Sequence, residues 1–148
     1  MSVRPLCGLL VAVIVGGGAE AALAQFDKAV ELKKLLEKND YKVELSSERL
    51  SATHAQWLNM TIRSYKGGLL LRAWLETTEY KTDDLETLAN KLNYGATATR
   101  IYIDDENDLI FEAWFPGQFE REMFEKLLEA WHNDTIGQSE TIRSELKM

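Results

Sequence analysis

One cysteine, two prolines and two histidines are all that 148 residues supply of those types, and each shortage removes a class of protein. The lone thiol, Cys7, falls in the first two dozen residues. The rest of the chain therefore has no disulfide, no thiolate-bound zinc and no thioredoxin-like redox pair. His54 and His132 stand far apart, and neither sits in a metal-binding or triad spacing. Pro5 and Pro116 leave no Pro-rich linker. No apolar run reaches the roughly 20 residues that a membrane-crossing helix requires. Cationic charge is also short: 17 Lys and Arg face 24 Asp and Glu, for a net charge of −7. That balance repels nucleic acid and anionic membrane surfaces, and the charged partner it favours is a basic one.

What the chain does have begins at its N-terminus. Arg4 supplies a positive charge, Leu6 to Val15 is apolar, and Gly16-Gly17-Gly18 ends the run. Ala22-Leu23-Ala24 has the small-x-small form that signal peptidase accepts. The pattern predicts a signal peptide over 1–24, with Gln25 as the mature N-terminus and export to the periplasm or beyond. A retained membrane anchor fits less well, because the run is short and is broken by three glycines and Glu20. A lipoprotein fits less well too, because Cys7 stands at the front of the apolar run instead of behind it. Removing 1–24 removes one charge of each sign, Arg4 and Glu20, so the mature net charge stays at −7. The remaining length suits one domain over 25–134, followed by a polar tail over 135–148.

Periodicity gives the elements. Ala29, Leu32, Leu35 and Leu36 fall at helical spacing within a first helix over 26–38, closed by Asn39-Asp40. Tyr41, Val43 and Leu45 alternate as a strand. Residues 46–56 read as a polar connection. Leu58, Met60 and Ile62 alternate up to Lys66-Gly67-Gly68, a hairpin turn. Residues 69–76 return with apolar residues on both faces, which suits a central or covered strand. A second helix over 83–93 carries Leu85, Leu88, Ala89 and Leu92, with Thr82 as N-cap and Gly95 just past its end. A second hairpin joins 97–103 to 109–115 through Asp104 to Asp108. A third helix over 118–133 bears the stripe Phe119, Met123, Leu127 and Trp131, with Phe124 and Leu128 beside it. The tail is frayed or a weak extra helix. The predicted order is α-β-β-β-α-β-β-α, an α+β fold with helices packed on an antiparallel sheet.

Few residues stand out as functional. The acidic turn has four carboxylates between Asp104 and Asp108, but Leu109 occupies the place where a calcium loop needs glycine, and Asp and Asn are ordinary turn formers. Both histidines read as structural or solvated. Four tryptophans, Trp57, Trp74, Trp114 and Trp131, are many for this length. On the strand 109–115, Leu109, Phe111, Ala113 and Phe115 form one set, and Ile110 and Trp114 take the other face. A strand with bulky apolar groups on both faces is covered twice or presents a patch, and such patches mark interfaces. Trp74, Ile110 and Trp114 are the candidate interface residues. No catalytic, cofactor-binding or metal-binding residue is assigned.

The segments Trp57-Leu58-Asn59, Gly67-Gly68, Leu69-Leu-Leu-Arg-Ala-Trp74, Thr82-Asp-Asp-Leu85 and Asp104-Asp-Glu-Asn-Asp108 followed by Leu109-Ile-Phe-Glu-Ala-Trp114 make a familiar series. In this order the chain resembles the YbjN-domain family, whose fold is like that of the type III secretion chaperones. The resemblance spans 26–133. It implies a protein-binding or regulatory role, often as a dimer, and brings no catalytic residues and no cofactor. The sequence is thus read as an exported, non-enzymatic, chaperone-like module acting as a homodimer, with no nucleic-acid partner and no stable membrane insertion after cleavage. The alternative is a periplasmic module that binds a small apolar ligand between sheet and helices.

Overall fold

The computed structural model describes residues 17–47, 49–135, 137 and 139–146, with side chains from 28 onward. Most of the expected signal peptide, including Cys7, lies outside these residues, and 17–24 enter only as backbone of the first helix. The elements are α1 (Gly17–Lys38), β1 (Lys42–Leu45), β2 (Arg49–Thr53), β3 (Met60–Tyr65), β4 (Gly68–Leu75), α2 (Thr82–Gly95), β5 (Arg100–Ile103), β6 (Leu109–Phe115), α3 (Arg121–Thr135) and α4 (Ser139–Leu146). The strands make one antiparallel sheet in the order β1-β2-β3-β4-β6-β5. The α+β class expected from the sequence is the one observed.

Local chemistry explains the joints. Asp40 adopts a left-handed φ of 63°, and the amides of Asp40 and Tyr41 donate back to the carbonyls of Glu37 and Leu36. This is a Schellman closure with aspartate in the place usually given to glycine. Lys66 and Gly67 both have positive φ, the backbone of a two-residue type I′ turn. Gly68 is needed for a different reason. A Cβ there would lie 2.1 Å from the Phe115 carbonyl oxygen, so only glycine lets β4 meet β6 at this point.

The core lies on one side of the sheet. Inward residues Leu71, Ala73, Phe111 and Ala113 join Leu35, Leu36, Leu85, Leu92, Phe124 and Trp131 of the helices in one buried cluster. β4 is central, as its apolar character required. The buried stripe of α2 is the predicted set Leu85, Leu88, Ala89 and Leu92.

Five expectations change. Residues 49–53 of the supposed polar connection form β2, with Leu50 and Ala52 buried. Thr82 does not cap α2; Lys81 takes that position, and the Thr82 hydroxyl donates to Asn107 Oδ1 at 2.9 Å. Gly95 is the last residue of α2 and has no left-handed φ, because the chain leaves through extended Ala96. On α3 the buried residues include Phe124, Leu128 and Trp131, whereas Met123 is exposed. Residues 139–146, expected as tail or weak helix, form α4 and bury Ile142 and Leu146 in the core.

One buried charge organises the approach to β5. The Asp134 carboxylate, 2% exposed, accepts from the backbone amides of Thr97, Ala98 and Thr99 at 2.8 to 2.9 Å. It fixes the 97–99 segment to the end of α3. Asp134→Ala strands the buried Thr99 amide and the part-buried amides of Thr97 and Ala98, and we expect a loss of about 3 kcal/mol, read as a lower urea midpoint with unchanged slope.

Candidate interaction surface

Strand alternation leaves the second face of the sheet without a helix among the described residues, and the register fixes what stands there. A polar row runs across its middle: Glu44, Ser51, Thr61, Arg72, Glu112 and Arg100 are successive cross-strand neighbours. To one side lie Arg63, Leu70 and Trp114, and to the other Trp74, Ile110 and Tyr102. Both ends are therefore aromatic, and their tryptophans are offset by four residues, roughly 13 Å at the strand rise.

The middle row is well connected. Tyr102 Oη donates to Glu112 Oε1 at 3.1 Å, and Arg100 donates to Glu112 Oε2 at 3.0 Å. The Arg100 guanidinium also lies 4.5 Å from the Tyr102 ring centre. Arg72 reaches Asp104 at 3.5 Å. Burial, and then the charge of Glu112, push the Tyr102 hydroxyl above its ordinary range.

Of the three expected interface residues, two are presented and one is not. Trp74 and Trp114 are each 50% exposed. Trp114 is held across β4 by its indole N–H, which donates to the Tyr65 carbonyl of β3 at 3.2 Å. Tyr65 in turn carries the cations of Arg63 and Lys66 at 5.7 and 5.2 Å. Ile110 is on the same face but only 1% exposed, flanked in register by Trp74 and Tyr102. It supports the tryptophan ledge from below and offers little surface of its own.

The acidic turn is occupied with its own backbone. Asp104 Oδ1 accepts from the amides of Glu106 and Asp108, and Asp108 Oδ1 accepts from the Thr77 amide. Asn107 sits at φ 65°, and its side-chain amide donates to the Tyr80 carbonyl. The turn ties the second hairpin to the chain before α2.

Sequence reasoning missed one cluster. His54 and His132, read as unrelated, meet around Trp57. The His54 and Trp57 rings stack at 4.3 Å, the Trp57 and His132 centres are 3.6 Å apart, and Tyr41 lies 2.9 Å from His132 Nε2 through its hydroxyl. His54 Nδ1 accepts from the amides of Gln56 and Trp57, so both rings are engaged structurally. Burial pushes the Tyr41 hydroxyl well above the ordinary phenol range, so we assign it as the donor to a neutral His132. Burial, with a smaller contribution from charge on His54, lowers His132 from 6.5 to about 4. No signal in the sequence joins residues so distant; only the fold does.

The comparisons bear on the fold. No family model matches the chain, and no curated protein matches it. Among solved structures it is similar to YbjN, a proposed transcription regulator from E. coli, with a TM-score of 0.58. The match covers 72% of this chain and 84% of that one at 13% identity. The likeness is one of fold, and it agrees with the fold the sequence resembles.

A neutral buried histidine has a consequence in acid. The unfolded chain takes up a proton near pH 6.5 that the folded chain refuses until about 4. This contribution is complete above the higher value and is lost as pH falls toward the lower. His132→Gln, which keeps an acceptor for Tyr41, should lose less of its melting temperature between those pH values than the wild type, by thermal melts across the range.

Proposed function

We propose that this chain is a non-enzymatic protein-binding module, regulatory or chaperone-like, that works as a homodimer through the open face of its sheet. The observation that carries the reading is the pair of half-exposed tryptophans, Trp74 and Trp114, on a face with no helix over it among the described residues. Tryptophans held on rigid strands bring contact area at little entropic cost and are frequent anchors of interfaces.

The layout also suits a second copy. A two-fold axis through the polar row would bring the Trp74 end of one sheet onto the Trp114 end of its partner. A self-complementary patch of this kind needs no other chain to complete it.

Light scattering on the purified chain across a dilution series should give twice the chain mass at high concentration, falling toward monomer. Trp74→Ser with Trp114→Ser should be monomeric throughout and still unfold in one cooperative transition. A wild type that is monomeric at every concentration would sink the homodimer. Ile110→Ala serves as the contrast, because it removes a buried side chain and should cost about 2 to 4 kcal/mol of stability.

The same reading includes export, supported by the charged, apolar and small-residue order of 1–24. N-terminal sequencing of the protein from the periplasmic fraction or medium should begin at Gln25. Recovery only from the cytoplasm with Met1 or Ser2 first would reject it.

A further inference from the structure

The loop 54–59 between β2 and β3 is built around one imidazole. His54 Nδ1 accepts from the amides of Gln56 and Trp57 at 3.0 and 3.1 Å, and the His54 amide donates to Asn59 Oδ1 at 3.1 Å. Accepting at Nδ1 puts the His54 proton on Nε2. The turn brings Trp57 back onto its own histidine, with the two rings 14° from parallel.

The same indole reaches the helices. His132 of α3 lies against Trp57 with ring centres 3.6 Å apart, and its Nε2 accepts from Tyr41, which stands between α1 and β1. Tyr41 also packs on His54 at 4.9 Å and on Trp57 at 5.6 Å. Four rings thus join three parts of the chain, and both histidines serve in them as acceptors. An imidazolium has no lone pair left to accept with. The titratable groups that face His132 are Tyr41 and His54, and among the described residues no carboxylate acts on it to favour a positive charge.

We infer that loop 54–59 is an acid-released latch: neutral His54 and His132 hold it against α3, and their protonation frees it while the sheet stays folded. A proton on His54 Nδ1 stands where two amides already point, so the turn opens. A proton on His132 Nε2 takes the lone pair that the Tyr41 hydroxyl uses. The two charges also repel while the rings are closed, and opening relieves that. β2 and β3 remain paired from Arg49 to Arg63, and the buried cluster around Leu71 and Phe111 contains neither histidine, so the opening is local. Burial lowers folded His132 from 6.5 to about 4. Between those values the open loop binds a proton that the closed loop refuses, and each unit of falling pH favours opening about tenfold for that proton alone. The latch shares no residue with the proposed interface, and each stands without the other.

Amide hydrogen exchange on the full chain, corrected for its intrinsic dependence on pH, tests this between pH 7 and 5. Protection of the Trp57 amide should fall at least about tenfold across that range. It should be insensitive to low urea, because local opening exposes little surface, whereas Leu71 and Phe111 on the paired strands β4 and β6 should carry the full urea dependence of unfolding. His54→Asn keeps a side-chain acceptor for the two amides, and His132→Gln keeps one for Tyr41, but neither titrates. With both changes, Trp57 protection should vary by less than about threefold over the same range. Trp57 protection that does not change with pH in the wild type, that matches Leu71 and Phe111 in size and urea dependence, or that keeps the wild-type pH slope in the double variant would each overturn the inference.

Discussion

The pairing of β4 with β6 is the contact on which the rest of the fold depends. It places Leu71 against Ala113 and Ala73 against Phe111, so at the centre of the ladder a large inward side chain faces a small one. The helices then close over a surface that is already interdigitated. A slip of one residue would turn Arg72 and Glu112 inward and push Leu71 and Phe111 into water. Gly68 guards against error at one end, because a side chain there would collide with the Phe115 carbonyl. The register that builds the core therefore also decides what the opposite face displays.

That second face follows from the same alternation. With leucine and phenylalanine committed inward, β4 and β6 still carry Leu70, Trp74, Ile110 and Trp114 outward. Two of these, Leu70 and Ile110, are covered by their neighbours within the chain, and the two tryptophans are left half in water. Large residues on neighbouring strands shelter smaller ones on the same face. Hence an outward position on a strand is not the same as an accessible one, and Ile110 shows the difference.

Much of this was legible in the residues. The closure of α1 at Asn39-Asp40, the Lys66-Gly67 turn, the buried stripe of α2 and the inward set of β6 all follow from local rules, and the structure agrees with them. The misses share a cause, which is that a tertiary partner decided the outcome. β2 has only Leu50 and Ala52 to mark it, and alanine is a weak strand signal until β1 and β3 flank it. Thr82 fits an N-cap, but Asn107 takes its hydroxyl. α2 ends where the Asn93 side chain bonds both the amide and the carbonyl of Ile101, acting as an extra neighbour for the edge strand β5. The stripe on α3 fails for a geometric reason. A constant step of four residues drifts around a helix with 3.6 per turn, whereas Phe124, Leu128, Trp131 and Thr135 alternate steps of four and three and stay on one face.

Charge makes the same point on a larger scale. A net charge of −7 describes how the whole molecule repels itself and its surroundings, and says little about any one surface. Arg49, Arg63, Arg72 and Arg100 all fall on the open face of the sheet, because strand alternation gathers positions that sequence spacing scatters. Glu112 and Asp104 offset the cations at the centre of the sheet, where they hold the polar row in place. Toward the β3–β4 turn, Arg63 and Lys66 lie over the Tyr65 ring. An acidic protein thus presents a basic, aromatic corner on the open face of its sheet. Composition gives the average; the register of six strands sets the departure from it.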